Sequence, residues 1–176
     1  MKNRLLLVTL LGLLSCTSTS AQDTVSNSVV KIHVTNREPD FSRPWAKGSP
    51  KQVSGSGVII DGKRILTNAH VVNYAIRVLV QGHQATERIP ASVLAVSPEM
   101  DLALLELDND DFFSERPALE LDAALPKAKD TISAYGYPIG GEQLSVTEGI
   151  VSRVEFSRYN FGAMGMRIQV DAGLNP

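Results

Sequence analysis

Short apolar runs separated by turn-forming residues constrain the fold of this chain more than any other feature of its sequence. Runs rich in aliphatic and β-branched residues occur at 57–60, 64–67, 75–80, 89–96 and 101–107. Glycine, proline, asparagine or aspartate interrupts the sequence between them, and no convincing amphipathic helix of ordinary length is present. Many short strands at this spacing predict an all-β sandwich or barrel.

Turn chemistry and the later part of the chain extend this prediction. Asp61-Gly62 joins the first two runs and predicts a tight hairpin, because both residues tolerate positive φ. Residues 36–51 predict a long loop, and a loop of this length is more often functional than idle. Residues 121–130 predict a linker. Further strands are predicted at 131–136, 144–147, 149–154 and 166–170.

The composition argues against some classes of function. Of the 176 residues, 43% are hydrophobic and 20% are charged, which is typical of a folded globular protein. The net charge is −2 and no long run of one sign occurs, so no nucleic-acid partner is predicted. His33, His70 and His83 lack the spacing of metal ligands, and the glycines at 136–141 lack the spacing of a nucleotide-binding loop. We therefore predict no metal and no other cofactor.

The first residues resemble an export signal. Lys2 and Arg4 precede an apolar stretch of about ten residues, which is too short to span a bilayer. Small residues at 19–21 predict cleavage after Ala21, whereas Cys16 offers the alternative of a lipoprotein signal. Cys16 is the only cysteine, so no internal disulfide can form. The sequence predicts an exported, periplasmic protein, or one that is lipid-anchored to a bacterial membrane through Cys16.

Two residues form a candidate catalytic pair. His70 follows the run at 64–67, and Asp101 opens another apolar run about thirty residues later. Each alone has an ordinary structural interpretation, as a polar residue at a strand end or as a turn residue. Together they are more specific, because an aspartate at the head of a buried strand is costly unless it is paired. A histidine oriented by a carboxylate suggests the base of a serine-protease triad.

Six motifs, taken in order, carry a resemblance to a known family. They are GSGVII at 55–60, LTNAHVV at 66–72, DLALL at 101–105, GYPIGG at 136–141, SVTEGIVS at 145–152 and QVDA at 169–172. Any one of them is weak evidence. Because all six occur in family order with matching spacings, the chain resembles the protease domain of the Deg/HtrA family of trypsin-like serine proteases.

The resemblance implies roles for individual residues. His70 would be the general base, and Asp101 would orient it and stabilise the imidazolium. In the family, a segment like residues 171–176 runs into Gly-Asn-Ser-Gly-Gly, which carries the nucleophilic serine. We therefore expect this chain to stop just before its nucleophile and oxyanion hole, and to be inactive alone. Ser56, Ser145 and Ser152 are poor substitutes, because the family places them in structural strands.

The resemblance also implies the architecture and the partners. We expect an all-β, chymotrypsin-type double antiparallel β-barrel. Its parts would be a signal peptide at 1–21, a complete first barrel at 22–120, a linker at 121–130 and an incomplete second barrel at 131–176. The implied function is a protein-quality-control endopeptidase that cleaves unfolded or damaged polypeptides and assembles as a trimer-based homo-oligomer.

Two alternatives to an active peptidase stay open at this point. The first is a catalytically inactive relative that binds peptides or partner subunits. The second is a β-barrel binding module unrelated to proteases, which would require the match of His70 with Asp101 to be accidental. In both cases the pair would have no catalytic role.

Overall fold

The first lobe is a closed barrel of six antiparallel strands. A computed structural model describes residues 21–159 and 162–173 of the chain. The strands of this barrel are β1 (Val29–Asn36), β2 (Lys51–Ile60), β3 (Arg64–Thr67), β4 (Ala75–Gln81), β5 (Ile89–Ser97) and β6 (Leu102–Leu107). They close in the order β1-β2-β3-β6-β5-β4, and every neighbouring pair is antiparallel. The predicted all-β architecture is confirmed.

Short helices accompany the strands. The described helices are α1 (Ala21–Ser28), α2 (Ala69–Val72) and a 3-10 helix at Asp110–Phe113. The sequence pattern does not predict α1, because the helix has no broad apolar stripe. No helix within residues 21–159 or 162–173 is long and apolar enough to cross a membrane. The predicted export signal, including Cys16, lies outside the described residues except for its last position.

The barrel encloses the hydrophobic core. Ile32, Ile65, Val80 and Leu105 contribute side chains that are fully buried. Gly57 lies between two of them, where an added Cβ would be 2.8 Å from both Ile32 and Ile65. Burial of these side chains drives closure of the barrel. It also fixes the register of the strands, since a slip of one residue would expose the apolar face.

The second lobe is an antiparallel sheet of three strands in the part of the chain that the structure describes. The strands are β7 (Thr131–Gly136), β8 (Ser145–Arg158) and β9 (Met164–Val170), in the order β7-β8-β9. The prediction of separate strands at 144–147 and 149–154 is wrong, because β8 continues through Gly149. The missing Cβ of Gly149 leaves room there for the backbone of Asp171. The division of the chain into domains stays a prediction.

A polar face of the first barrel contacts the second lobe. Ser56 Oγ accepts a hydrogen bond of 2.8 Å from the Tyr137 backbone N–H. Lys31 Nζ donates to Gly141 O at 2.7 Å and lies 3.0 Å from Glu142 Oε1. These contacts bury Lys31, which is 3% exposed. They hold the segment that follows β7 against the first barrel.

Candidate active site

His70 is held at the surface by a short helix whose other residues are buried. β3 ends one residue before Asn68, which stays extended with φ −83° and ψ 144°, and α2 begins at the next residue. The other three residues of α2 are buried: Ala69, Val71 and Val72. The helix is therefore anchored in the core, while the His70 side chain is 68% exposed. His70 lies in this helical turn rather than at the end of the strand itself.

Asp101 lies in the turn that precedes β6, not inside the strand. Its φ is +54°, a left-handed conformation that aspartate adopts more readily than most residues. β3 pairs with β6 so that Thr67 is opposite Ala103. The end of β3 and the start of β6 therefore lie side by side. This pairing brings His70 and Asp101 together.

The two candidate residues form a direct hydrogen-bonded pair. His70 Nδ1 lies 2.7 Å from Asp101 Oδ2, and the backbone N–H of His70 donates to Asp101 Oδ1 at 2.8 Å. One residue thus engages both carboxylate oxygens, which restricts the orientation of the imidazole ring. When Nδ1–H donates to the carboxylate, Nε2 of the neutral ring keeps its lone pair. Nε2 is then able to accept a proton.

Asn68 contributes a further contact that residue types and spacing alone did not single out. Its Nδ2 donates to the backbone oxygen of Asp101 at 3.1 Å and to Oδ2 at 3.3 Å. Asn68 therefore ties the turn before β6 to the end of β3. The available signal was an amide side chain two residues before the candidate histidine, within the motif at 66–72.

The surroundings of Asp101 favour its ionised form. Partial burial is the largest single influence and raises its pKa, but several interactions oppose it. Hydrogen bonds from the backbone and ring of His70, the charge of that ring, and the hydrogen bond from Asn68 together hold the pKa below the ordinary 3.8. At neutral pH the group is a carboxylate. That is the form that accepts Nδ1–H and stabilises an imidazolium.

Within residues 21–159 and 162–173, no serine hydroxyl is hydrogen-bonded to His70. Ser56 Oγ, the weak alternative nucleophile, instead accepts the Tyr137 backbone N–H. In the same ranges, no group of three or more His, Cys, Asp and Glu side chains is arranged to hold a metal ion. The chemistry that the described site supports is proton transfer at His70 Nε2.

Known proteins are similar to this chain in sequence and in fold. Residues 55–176 match a family model described as a trypsin-like peptidase domain. Protease Do-like 4, mitochondrial, of Arabidopsis thaliana is 41% identical over 160 residues, covering 90% of this chain and 31% of that protein. The serine protease DegP homolog of Plasmodium falciparum is 42% identical over 149 residues, covering 84% of this chain and 17% of that protein. The chain thus spans about a third or less of the length of these relatives.

A solved structure extends the comparison to three dimensions. The HtrA-type protease AlgW with a tripeptide matches with a TM-score of 0.68 and 25% identity, covering 87% of this chain and 45% of that chain. Its likeness, together with the closed barrel and the partial second sheet, confirms the predicted chymotrypsin-type fold. The order of strands that brings His70 beside Asp101 therefore belongs to a fold shared with a peptidase.

Proposed function

Because the chain belongs to the Deg/HtrA family of trypsin-like peptidases, we propose that the protein is a serine endopeptidase. In this proposal His70 is the general base and Asp101 is the residue that orients it. The observation that carries the proposal is the 2.7 Å hydrogen bond between His70 Nδ1 and Asp101 Oδ2. A histidine held in this way is prepared to activate a serine.

The proposed reaction follows from the positions of the ring atoms. As the serine oxygen attacks the carbonyl carbon of the scissile peptide, His70 Nε2 takes the hydroxyl proton. Asp101 stabilises the imidazolium that forms. Nε2 then gives the proton to the leaving nitrogen, the C–N bond breaks, and an acyl-enzyme remains. Water attacks the ester with His70 again as base, which releases the acid and restores the serine.

We propose that the nucleophile lies after Pro176. The family resemblance supports this position, because a segment like residues 171–176 precedes Gly-Asn-Ser-Gly-Gly in the family. The absence of a serine hydroxyl on His70 among the described residues supports it too. The backbone N–H groups of the oxyanion hole would belong to the same segment. Since loss of a triad serine costs on the order of a million-fold in turnover, the 176-residue chain alone is expected to be inactive.

Polypeptide is the proposed substrate class. AlgW with a tripeptide and AlgW with a decapeptide are solved structures of a related protease, which supports an extended peptide as the ligand. By family resemblance we also propose that unfolded or damaged proteins are the targets and that the complete protein forms trimers. The predicted export signal at 1–21 would place the protein in the periplasm or anchor it to a membrane through a lipid at Cys16. The Arabidopsis relative described above carries a mitochondrial name.

The proposal is tested first on the gene and then on the complete gene product. The coding DNA after the codon for Pro176 should encode Gly-Asn-Ser-Gly-Gly. The complete product should cleave casein and react with a fluorophosphonate, which labels activated serines. We expect H70A to lower turnover about a million-fold and D101N about ten-thousand-fold. H83A is the matched control, because His83 faces the Tyr137 hydroxyl at 3.4 Å and should leave turnover unchanged.

The alternatives predict different results in the same experiments. A genuine stop codon after Pro176, with a soluble and abundant 176-residue protein that no fluorophosphonate labels, would favour the inactive peptide-binding relative. Full activity in H70A or D101N would contradict the roles given to His70 and Asp101. The match of these residues to the family would then be accidental.

A further inference from the structure

The outer face of the first barrel carries a polar surface formed by three neighbouring strands. In antiparallel pairs, residues directly opposite each other lie on the same face of the sheet. The rows across β2, β1 and β4 are Gln52–Thr35–Arg77, Ser54–His33–Leu79 and Ser56–Lys31–Gln81. Ile32 and Val34, which alternate with these positions in β1, are buried in the core. The three rows therefore lie outside the barrel.

A groove of about 590 Å³ lies on this face, bounded on one side by residues of the segment that follows β7. We call it the basic groove, and define it by Lys31, Arg77, Leu79, Arg88 and Ile139, which all line it. It therefore combines three cationic side chains with apolar surface. Neither His70 nor Asp101 lines it.

The two arginines of the basic groove are available to a ligand. Within the part of the chain that the structure describes, the side chains of Arg77 and Arg88 form no hydrogen bond and no direct ion pair. The charge of Arg88 acts on Glu142 without direct contact and helps to lower the pKa of that carboxyl. The one described carboxylate that lines the groove is Glu142, and it is already paired with Lys31 at 3.0 Å. Two unpaired guanidinium groups in a concave surface attract anionic groups. The groove thus has an excess of positive charge that the described residues leave unmatched.

We propose that the basic groove binds an extended, acidic segment of a polypeptide. Guanidinium groups match carboxylates well, because their planar N–H donors face both carboxylate oxygens. Leu79 and Ile139 supply apolar contacts that a small inorganic anion would not use. Ile139 is 76% exposed, and a bound side chain would cover it. A segment that alternates acidic and apolar side chains fits both features.

Fluorescence anisotropy with the complete gene product tests the proposal, and the protein carries H70A so that no peptide is cleaved. Failure of the proposed peptidase activity would therefore leave this test unaffected. The probe is a labelled peptide that alternates glutamate with leucine, and the comparison peptide has glutamine at every glutamate. We expect the dissociation constant of the glutamate peptide to be lower than that of the comparison peptide by a factor of about five or more. Added salt should reduce this preference, because exposed charges are screened.

Variants locate the binding site. R77Q/R88Q should weaken binding of the glutamate peptide about five-fold or more. R77K/R88K keeps the charge but loses the planar pair of donors, and it should weaken binding less than R77Q/R88Q does. R64Q/R158Q is the matched control, since it removes the same charge from exposed arginines that do not line the groove. Equal affinity of the H70A protein for both peptides would overturn the proposal. So would unchanged affinity in R77Q/R88Q with a wild-type circular dichroism spectrum.

Discussion

Lys31 links the two lobes through its ammonium group. Replacing Lys31 by methionine measures how much this link contributes to the free energy of docking. Lys31 is 3% exposed, donates to Gly141 O at 2.7 Å and lies 3.0 Å from Glu142 Oε1. Methionine is also a long, unbranched and flexible side chain, but it has no donor. K31M therefore removes both contacts with little loss of packing volume.

The expected loss follows from these contacts. A hydrogen bond that involves a charged group contributes about 1.5–3 kcal/mol. Methionine avoids the cost of burying an ammonium group, which offsets part of this contribution. The ion pair with the exposed Glu142 adds less, because solvent screens it. We expect K31M to lose about 1–2 kcal/mol of the free energy that docks residues 137–142, which is roughly a five- to thirty-fold change in the opening equilibrium.

Native-state hydrogen exchange measures this loss at individual amides. The reporters are the Tyr137 N–H, which donates to Ser56 Oγ at 2.8 Å, and the Gly141 N–H, which donates within its own turn at 2.9 Å. Both should exchange roughly five- to thirty-fold faster in K31M, while amides in the barrel core should keep their rates. K51M is the control, because Lys51 forms an exposed ion pair on the surface.

Wild-type exchange rates at Tyr137 and Gly141 in folded K31M would refute the inference that Lys31 docks the lobes.

The stability that Glu142 contributes should depend on pH, and this dependence gives a second check. The hydrogen bond from Lys31, followed by its charge, lowers the pKa of Glu142 below the ordinary 4.5. A lowered carboxyl pKa contributes stability above the ordinary value, and this is lost as the pH falls through the folded pKa. The stability difference between wild type and E142Q should therefore shrink on acidification below 4.5.

Two further predictions concern the second sheet and β1. An added Cβ at Gly149 would collide with the backbone of Asp171, so G149A should lower the free energy of unfolding in urea by about 2 kcal/mol. A Cβ at Gly173 would meet open space, so G173A should leave the free energy of unfolding unchanged. An equal decrease in the free energy of unfolding in G149A and G173A would contradict this explanation. Burial is the main cause that lowers the pKa of His33 below 6.5. Because the unfolded chain then binds the proton more readily, stability should fall as the pH drops below 6.5, and H33N should flatten this slope.

The strands could be predicted where local pattern alone determines them. β7 has the predicted bounds of 131–136, and the predicted hairpin turn joins β2 to β3. The turn includes Lys63 as well as Asp61 and Gly62, and the residues with positive φ are Gly62 and Lys63 rather than Asp61. Local pattern could not reveal that β8 passes through Gly149, because the reason is a tertiary contact. Nor could it reveal that Lys31 is buried, since its partner Gly141 lies 110 residues later in the chain.

The candidate site could be predicted as residue types at an interval, but not as a geometry. An aspartate at the head of an apolar run is costly to bury unless it is paired, and His70 was the candidate partner in the sequence. The position of Asp101 in a left-handed turn, and the contact from Asn68, depend on the pairing of β3 with β6. Pairing between distant strands is set by the closed barrel, which no local pattern specifies.

The hydrogen bonds that position the candidate base differ from those by which Lys31 and Ser56 dock the lobes. His70 and Asp101 lie beside the ends of β3 and β6, and the pairing of these two strands sets their separation. Lys31 and Ser56, which contact the second lobe, lie on β1 and β2. K31M should therefore leave the Nδ1 proton of His70 hydrogen-bonded, with an unchanged downfield NMR resonance. A loss of activity in K31M of the complete protein would then come from misplaced groups of the second lobe and not from a displaced base.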